Sequence, residues 1–229
     1  MSIAEKLQTI AENQQRVYES GYTDGSMLIY YATRLNNVFG GVQFPENFEF
    51  VARVKNCVDF GYMFNNCKNL KSVKITHETQ DTVLDMAAHL SIGSATTPTL
   101  ELVDFTEFNK QFKNIFNLFQ YQRKLKTVLG EIDLSQCTNT GNAFRENNAL
   151  EDIRFKANTI PISISFNTSP NLSNETIQSI FDGLATVETT QTLTLHTNHK
   201  ILQSQVDSAN AKGWTIVGGK VVSEEEYYG

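Results

Sequence analysis

Four segments of this chain share one register, and a chain that repeats a packing pattern can adopt far fewer folds than one of the same composition without it. The register is Leu-x-x-(Val/Ile)-x-(apolar). It appears as Leu70-Lys71-Ser72-Val73-Lys74-Ile75, Leu100-Glu101-Leu102-Val103-Asp104-Phe105, Leu125-Lys126-Thr127-Val128-Leu129-Gly130 and Leu150-Glu151-Asp152-Ile153-Arg154-Phe155. The leading leucines are 30, 25 and 25 residues apart. Three copies carry a phenylalanine six residues before the leucine (Phe64, Phe119 and Phe144), where the second copy has Ser94. The last apolar position fails once, at Gly130.

Each unit is expected to supply one short strand with its apolar residues turned inward, and stacking the units in parallel buries a core that no unit could bury alone. Parallel neighbours need a crossover. After the first strand Val83, Leu84, Ala87 and Leu90 fit one face of a helix, and after the second Phe108, Phe112, Ile115, Phe116 and Phe119 do so more strongly. These phenylalanines read as core. From Gly130 to Thr140 the alternation of Ile132 and Leu134, followed by Thr, Asn and Gly, favours a strand with turns instead.

At the N-terminus Ser2 and Glu5 form a capping-box pattern, and Ile3, Leu7, Ile10, Gln14 and Val17 follow on a seam of helical spacing. So short a helix either docks on its own domain or pairs with copies of itself, which makes it a candidate oligomerisation element. At the other end Ser173 can cap a helix bearing Ile177, Ile180, Phe181 and Leu184. Thr192 to Leu195 alternates as a strand, Ile201 to Ala211 suits a helix, and Trp214 to Val217 suits a last strand. Such a unit hides the open end of a stacked core, with Trp214 as its plug.

Charge narrows the function classes. The net charge is −6 and the 19 basic residues are scattered, so the electrostatic footprint of a nucleic-acid binder is missing. No apolar run is long enough for a membrane span or a signal peptide, and folding in the cytoplasm is expected. Three cysteines, Cys57, Cys67 and Cys137, without a C-x-x-C pair argue against a disulfide framework and a zinc ribbon. His196 and His199 lack an evident third ligand, and no cofactor or metal is expected. Asp104, Asp133 and Asp152 raise glycan hydrolysis, which needs two carboxylates at a set separation, but they read first as solvent-facing strand positions. No phosphate loop, Ser-His-Asp ordering or nucleophile elbow is present, so no catalytic residue is assigned. At outward strand positions the sign alternates: Lys71 and Lys74, then Glu101 and Asp104, then Lys126, then Glu151 with Asp152 and Arg154. The alternation either fixes strand order through weak attraction between neighbours or forms a polar binding face for a protein or glycan.

Met63-Phe64-Asn65-Asn66-Cys67-Lys68-Asn69-Leu70-Lys71-Ser72-Val73 resembles the Phe-x-x-Cys-x-x-Leu-x-x-(Ile/Val) repeat of BspA-like leucine-rich-repeat proteins. Leu172 to Ile177, Gln191 to His196 and Lys212 to Ile216 resemble the closing unit of such proteins in tailed phages, and Ile3 to Tyr18 their first helix. The resemblance implies an α/β (α+β) leucine-rich-repeat solenoid: short parallel strands, mixed helix, strand and loop outer elements, an N-terminal helix and a C-terminal helix-strand cap. It divides the chain into a helix (1–22), a solenoid (23–170), a capping unit (171–218) and an acidic tail (219–229). It further implies a non-enzymatic virion protein of phage or prophage, tail- or baseplate-associated and homo-oligomeric, with other virion proteins and a host-surface protein or glycan as partners. A bacterial interaction or adhesion module and a glycan-degrading enzyme stand as alternatives.

Overall fold

The computed structural model describes residues 27–30, 39–54, 61–77, 84–85, 98–108 and 111–229. The helix read over 1–22, with Ile3, Leu7, Ile10, Gln14 and Val17, lies outside the described residues, as do Cys57, Val83, Ala87, Leu90 and Ser94.

Among the described residues the first eight strands are β1 (Met27–Tyr30), β2 (Gln43–Val54), β3 (Lys68–His77), β4 (Leu84–Asp85), β5 (Leu102–Asp104), β6 (Phe112–Asn114), β7 (Thr127–Ile132) and β8 (Asp152–Phe155). Six of them form one sheet in the order β1-β2-β3-β5-β7-β8, every pair parallel, while the short β4 and β6 pair with each other. Beyond them come β9 (Ile164–Phe166), helix α1 (Asn174–Gly183), β10 (Gln191–Leu195), β11 (Lys200–Leu202), helix α2 (Gln203–Ala211), β12 (Trp214–Val217), β13 (Lys220–Val222) and helix α3 (Glu224–Tyr228). Strands β12, β10 and β9 make a second parallel sheet, and β11 pairs with β13. The class is broadly α/β, mainly parallel sheet with three helices among the described residues.

The repeated register is a row of contacts. Val73, Val103 and Val128 are successive Cα partners, and Leu70, Leu100, Leu125 and Leu150 are all fully buried in one continuous core. Burying each such side chain stabilises by about 1.5–3 kcal/mol. The phenylalanines form a second row: Phe39 stacks on Phe64 at 5.4 Å, Phe119 lies 5.9 Å from Phe144, and Phe144 stacks on Phe166 at 4.5 Å. The residues two before and two after these rings have left-handed φ in three copies: Tyr62 and Asn66, Asn117 and Tyr121, Asn142 and Glu146. Three residues after the ring sits a buried side chain that donates to the carbonyl of the previous ring. Cys67 Sγ donates to Phe39 O (3.0 Å), Asn147 Nδ2 to Phe119 O (2.5 Å) and Ser169 Oγ to Phe144 O (2.9 Å). Sulfur, amide and hydroxyl serve one purpose, which explains why only one copy keeps the cysteine.

Two members of this row were not read from sequence. Phe39 precedes Phe64 by 25 residues, but extra residues then separate it from Phe48, the Cα partner of Leu70, and the pairing shifts between Gln43 and Phe48. Phe166 leads to Ser169 and Leu172 in the usual spacing, after which the chain enters α1 instead of a strand.

The helical crossover expected after the second strand is corrected, and of the helix expected after the first only Leu84 lies among the described residues, in a strand. Leu84 lies in the two-residue strand β4, and Phe112 starts strand β6, followed by turns. Phe108, Phe112, Ile115 and Phe119 are buried as expected. The local pattern suited a helix, but the second crossover satisfies its backbone on the next one. Phe112 N donates to Asp133 O (2.9 Å), Ile115 N to Asn139 O (2.9 Å), Asn117 N to Gly141 O (2.9 Å), Phe119 N to Ala143 O (2.8 Å) and Tyr121 N to Arg145 O (2.8 Å). Once these bonds exist, the helix is not needed to pair the amides. From Gly130 onward a strand end and turns appear, as the alternation indicated.

Helix α1 closes the far edge of the large sheet. Ser173 caps it, accepting from Thr176 N, and Ile177, Ile180, Phe181 and Leu184 are buried. Its hydroxyls occupy the pairing positions that a further strand would take. Thr176 Oγ1 accepts from Ile153 N (3.1 Å) and donates to Glu151 O (2.9 Å), and Ser179 Oγ accepts from Phe155 N (2.9 Å). An open edge invites pairing with another chain, and this one is covered. Thr176→Val keeps the shape and strands the Ile153 amide, so it is expected to cost about 1–3 kcal/mol in urea unfolding; an unchanged midpoint would show that the edge is held by packing alone.

In the C-terminal unit Trp214 is buried and donates from Nε1 to Ala185 O (2.7 Å). The stretch 219–229, read as an acidic tail, folds as β13 and α3. Ser223 accepts from Glu226 N (3.2 Å), and the buried Tyr227 donates from its hydroxyl to Asn174 O (3.0 Å). Acidic residues in the first turn of a helix are favourable, so Glu224, Glu225 and Glu226 suit that position.

Candidate functional site

In each repeat the leading leucine is buried within or just before the sheet strand, and the residue after it faces the other way. Lys71, Glu101, Lys126 and Glu151 occupy that position in successive repeats, and the backbone holds them side by side. Glu101 N donates to Lys71 O (2.8 Å), Lys126 N to Glu101 O (2.9 Å) and Glu151 N to Lys126 O (2.9 Å). The result is one row of alternating sign, with neighbours about 4.8 Å apart in the pairing direction. Glu101, Lys126 and Glu151 are exposed and Lys71 half-buried, so each attraction contributes only a few tenths to about 1 kcal/mol.

Lys74 and Asp104 form a second pair as Cα partners, with Nζ 4.0 Å from Asp104 Oδ2 and 2.7 Å from Glu107 Oε1. Arg154 does not join them. The pairing of β7 with β8 shifts between Thr127 and Glu131, which sets Arg154 opposite Glu131. Its guanidinium turns to Thr176 Oγ1 (2.8 Å) and Asp152 (3.7 Å) at the sheet edge.

The three aspartates weighed for glycan chemistry serve local turns and pairs. Asp104 Oδ1 accepts from the Thr106 amide (2.8 Å) and hydroxyl (2.6 Å), and Asp133 Oδ1 likewise from Ser135 (3.0 and 2.6 Å). Asp152 accepts from Ser173 Oγ (3.2 Å). Burial alone would raise the Asp133 carboxyl, but the Ser135 bonds and the Lys156 ammonium at 2.9 Å together hold it below its ordinary range. His196 and His199 lie with ring centroids 6.1 Å apart, and among the described residues no three potential metal-ligating side chains gather. Burial pushes the His199 imidazole down to about 4, against an opposing contribution from the Ser169 backbone. Burial also pushes the Cys67 thiol up to about 12, leaving it unreactive near neutrality.

These two shifts on His199 and Asp133 act in the same direction on stability. Between its ordinary 6.5 and about 4, His199 binds fewer protons folded than unfolded, so stability falls as the pH drops through that window. Asp133 contributes fully above its ordinary value and loses that contribution as the pH falls through its lower folded one. Stability measured by urea unfolding is therefore expected to decline from pH 7 to pH 4. His199→Gln should flatten the upper part of that slope, and an unchanged slope would refute the assignment.

A groove of about 480 Å³ lies beside the sheet edge, lined by β7 and β8 residues, α1 and the last two tyrosines. Sequence reading missed it because one side of its wall, Tyr227 and Tyr228, comes from the stretch 219–229. The Ser223-x-x-Glu226 spacing was the available signal for the helix that carries it.

The model of one protein family, Rad33, matches residues 8–157. The chain belongs to the Rad33 family. No curated protein and no solved structure matches the chain. Membership in the Rad33 family, a DNA-damage-related one, overturns the resemblance to BspA-like proteins of tailed phages. The virion role, tail or baseplate position, virion and host-surface partners and virion location fall with it. The physical reason is that a Phe-x-x-polar-x-x-Leu spacing reports how strands pack, and packing needs are common to unrelated lineages. The Rad33 match spans all seven residues of the candidate face, from Lys71 to Arg154, and stops before α1.

Proposed function

We propose that this Rad33-family chain acts in a DNA-damage-related process as a non-catalytic, protein-binding scaffold. The observation that carries the reading is the family match over 8–157, which contains the large sheet and its charged row. In architecture we infer a solenoid, in which units sharing the phenylalanine and leucine rows stack from β2 to β8 and the unit 171–218 caps them. A rigid parallel ladder displays charges at fixed spacing, which suits recognition of a partner with the complementary alternation. Lys71, Glu101, Lys126 and Glu151 are the central candidates, with Lys74 and Asp104 beside them and Arg154 marginal.

The test uses cells deprived of this chain and exposed to graded ultraviolet doses. Reduced survival restored by the wild-type chain is expected, and survival equal to that of equally irradiated parent cells at every dose would overturn the role. A chain with Lys71→Glu, Glu101→Lys, Lys126→Glu and Glu151→Lys keeps alternation within the row while inverting what a partner meets. It should fold normally and fail to restore survival; full restoration would remove the row as the binding face.

A further inference from the structure

The groove beside β8 is strongly unbalanced in charge and carries an aromatic rim. Glu131, Glu175 and Asp182 line it with Arg154 as the only base among its lining residues, and the Arg154 guanidinium is engaged by Thr176 and Asp152. Tyr228 also lines it and is 75% exposed, although its neighbour Tyr227 is buried. The two rings meet edge-to-face at 5.0 Å. Tyr227 is held on several sides: its hydroxyl accepts from Gln205 Nε2 (3.2 Å) and donates to Asn174 O, while its carbonyl accepts from Asn174 Nδ2 (2.6 Å). The Tyr227 side of the wall is therefore fixed before any ligand arrives, which lowers the ordering cost of binding.

We propose that this groove binds a lysine- or arginine-bearing peptide segment of a partner protein, its cation facing the Glu131, Glu175 and Asp182 carboxylates and its stem lying against Tyr228. Charge complementarity selects the occupant: three carboxylates in a partly enclosed space favour a cation, and the tyrosine face adds an attraction that cations share and neutral or acidic chains lack. The phenol of Tyr227 senses the same field, since burial first, and then Tyr228, Glu175 and Asp182, hold it above its ordinary value against the Gln205 bond. The volume lies within the range that accommodates a small ligand or a few side chains. This inference stands apart from the charged row on the sheet, with which the groove shares only the marginal Arg154.

The test is fluorescence anisotropy of the full chain with dye-labelled pentalysine and pentaarginine amides, and pentaglutamate as the counter-probe. Saturable binding of a basic peptide is expected, weakened roughly tenfold in E131Q/E175Q/D182N and roughly threefold in Tyr228→Ala. The control triple E46Q/E49Q/E188Q removes as much charge from exposed sites elsewhere and should change affinity by less than about twofold. Equal weakening in both triples would mean bulk charge and overturn the proposal, as would no saturable binding of either basic peptide. If the groove triple fails to fold by circular dichroism, Tyr228→Ala decides, and unchanged affinity there overturns it.

Discussion

Phe144→Ala is expected to lower the unfolding free energy by about 3–5 kcal/mol, enough to unfold a large fraction of a marginally stable domain. Phe144 is buried where three other rings converge: Phe166 stacks on it at 4.5 Å, Phe119 lies at 5.9 Å, and Phe155 meets it edge-on at 6.1 Å. The backbone on either side is fixed by left-handed Asn142 and Glu146, and its carbonyl accepts from Ser169. A cavity at that point cannot close by a shift of the chain, so the loss should sit at the high end for a core truncation. The half-buried Phe116 supplies the contrast, because its alanine variant leaves no sealed cavity and should cost about 1 kcal/mol or less. Urea unfolding of both variants decides. Equal midpoints would show that the phenylalanine row is not a continuous packing element.

Gly130→Ala is expected to cost about 2–5 kcal/mol, although it adds one methyl group. Part comes from backbone conformation: φ is +87° at Gly130, and a left-handed residue with a Cβ loses about 1–2 kcal/mol. The rest is a clash. A Cβ there would lie 2.7 Å from Phe105 C, 2.8 Å from Phe105 O and 2.9 Å from Thr106 N, all backbone atoms just after the neighbouring strand β5, and forcing them aside costs about 1–3 kcal/mol more. Gly41 separates the two effects, since its φ is +77° but nothing lies within 4 Å of an added Cβ. Gly41→Ala should lose only the conformational part. Matching losses at both positions would mean that the approach of Phe105 to Gly130 contributes nothing.

Gly130 also shows where a reading from sequence stops. It breaks the repeated register at the one place where an apolar residue was expected, and the chain alone gives no reason. In the folded sheet the left-handed residue lets β7 bulge, so that Ile132 takes the inward place opposite Phe155 and Leu129 turns to solvent. The Leu and Val positions were legible because they recur at nearly constant spacing and their role is purely to be apolar. The crossovers were not, because Phe108, Phe112, Ile115 and Phe119 satisfy a helical spacing equally well, and the competing bonds come from residues about 24 further along. The charged row was legible as alternating sign, and its members do adjoin. Arg154 was misplaced because a two-residue shift in pairing leaves no trace in its own segment. The groove was not legible at all, since Glu131 and Glu175 meet through the packing of α1 beside β8, and Tyr228 joins them through the docking of α3.

From the sequence alone followed the inward rows, the parallel pairing they require, the buried tryptophan and the capped helix after Ser173, because each depends on local spacing and on the drive to remove apolar surface from water. Only the tertiary structure decided how the crossovers pair their amides, how Thr176 and Ser179 seal the last strand, and which carboxylates share a groove. Those outcomes rest on hydrogen bonds and charges between residues far apart in the chain, whose partners are chosen by geometry after the core has formed.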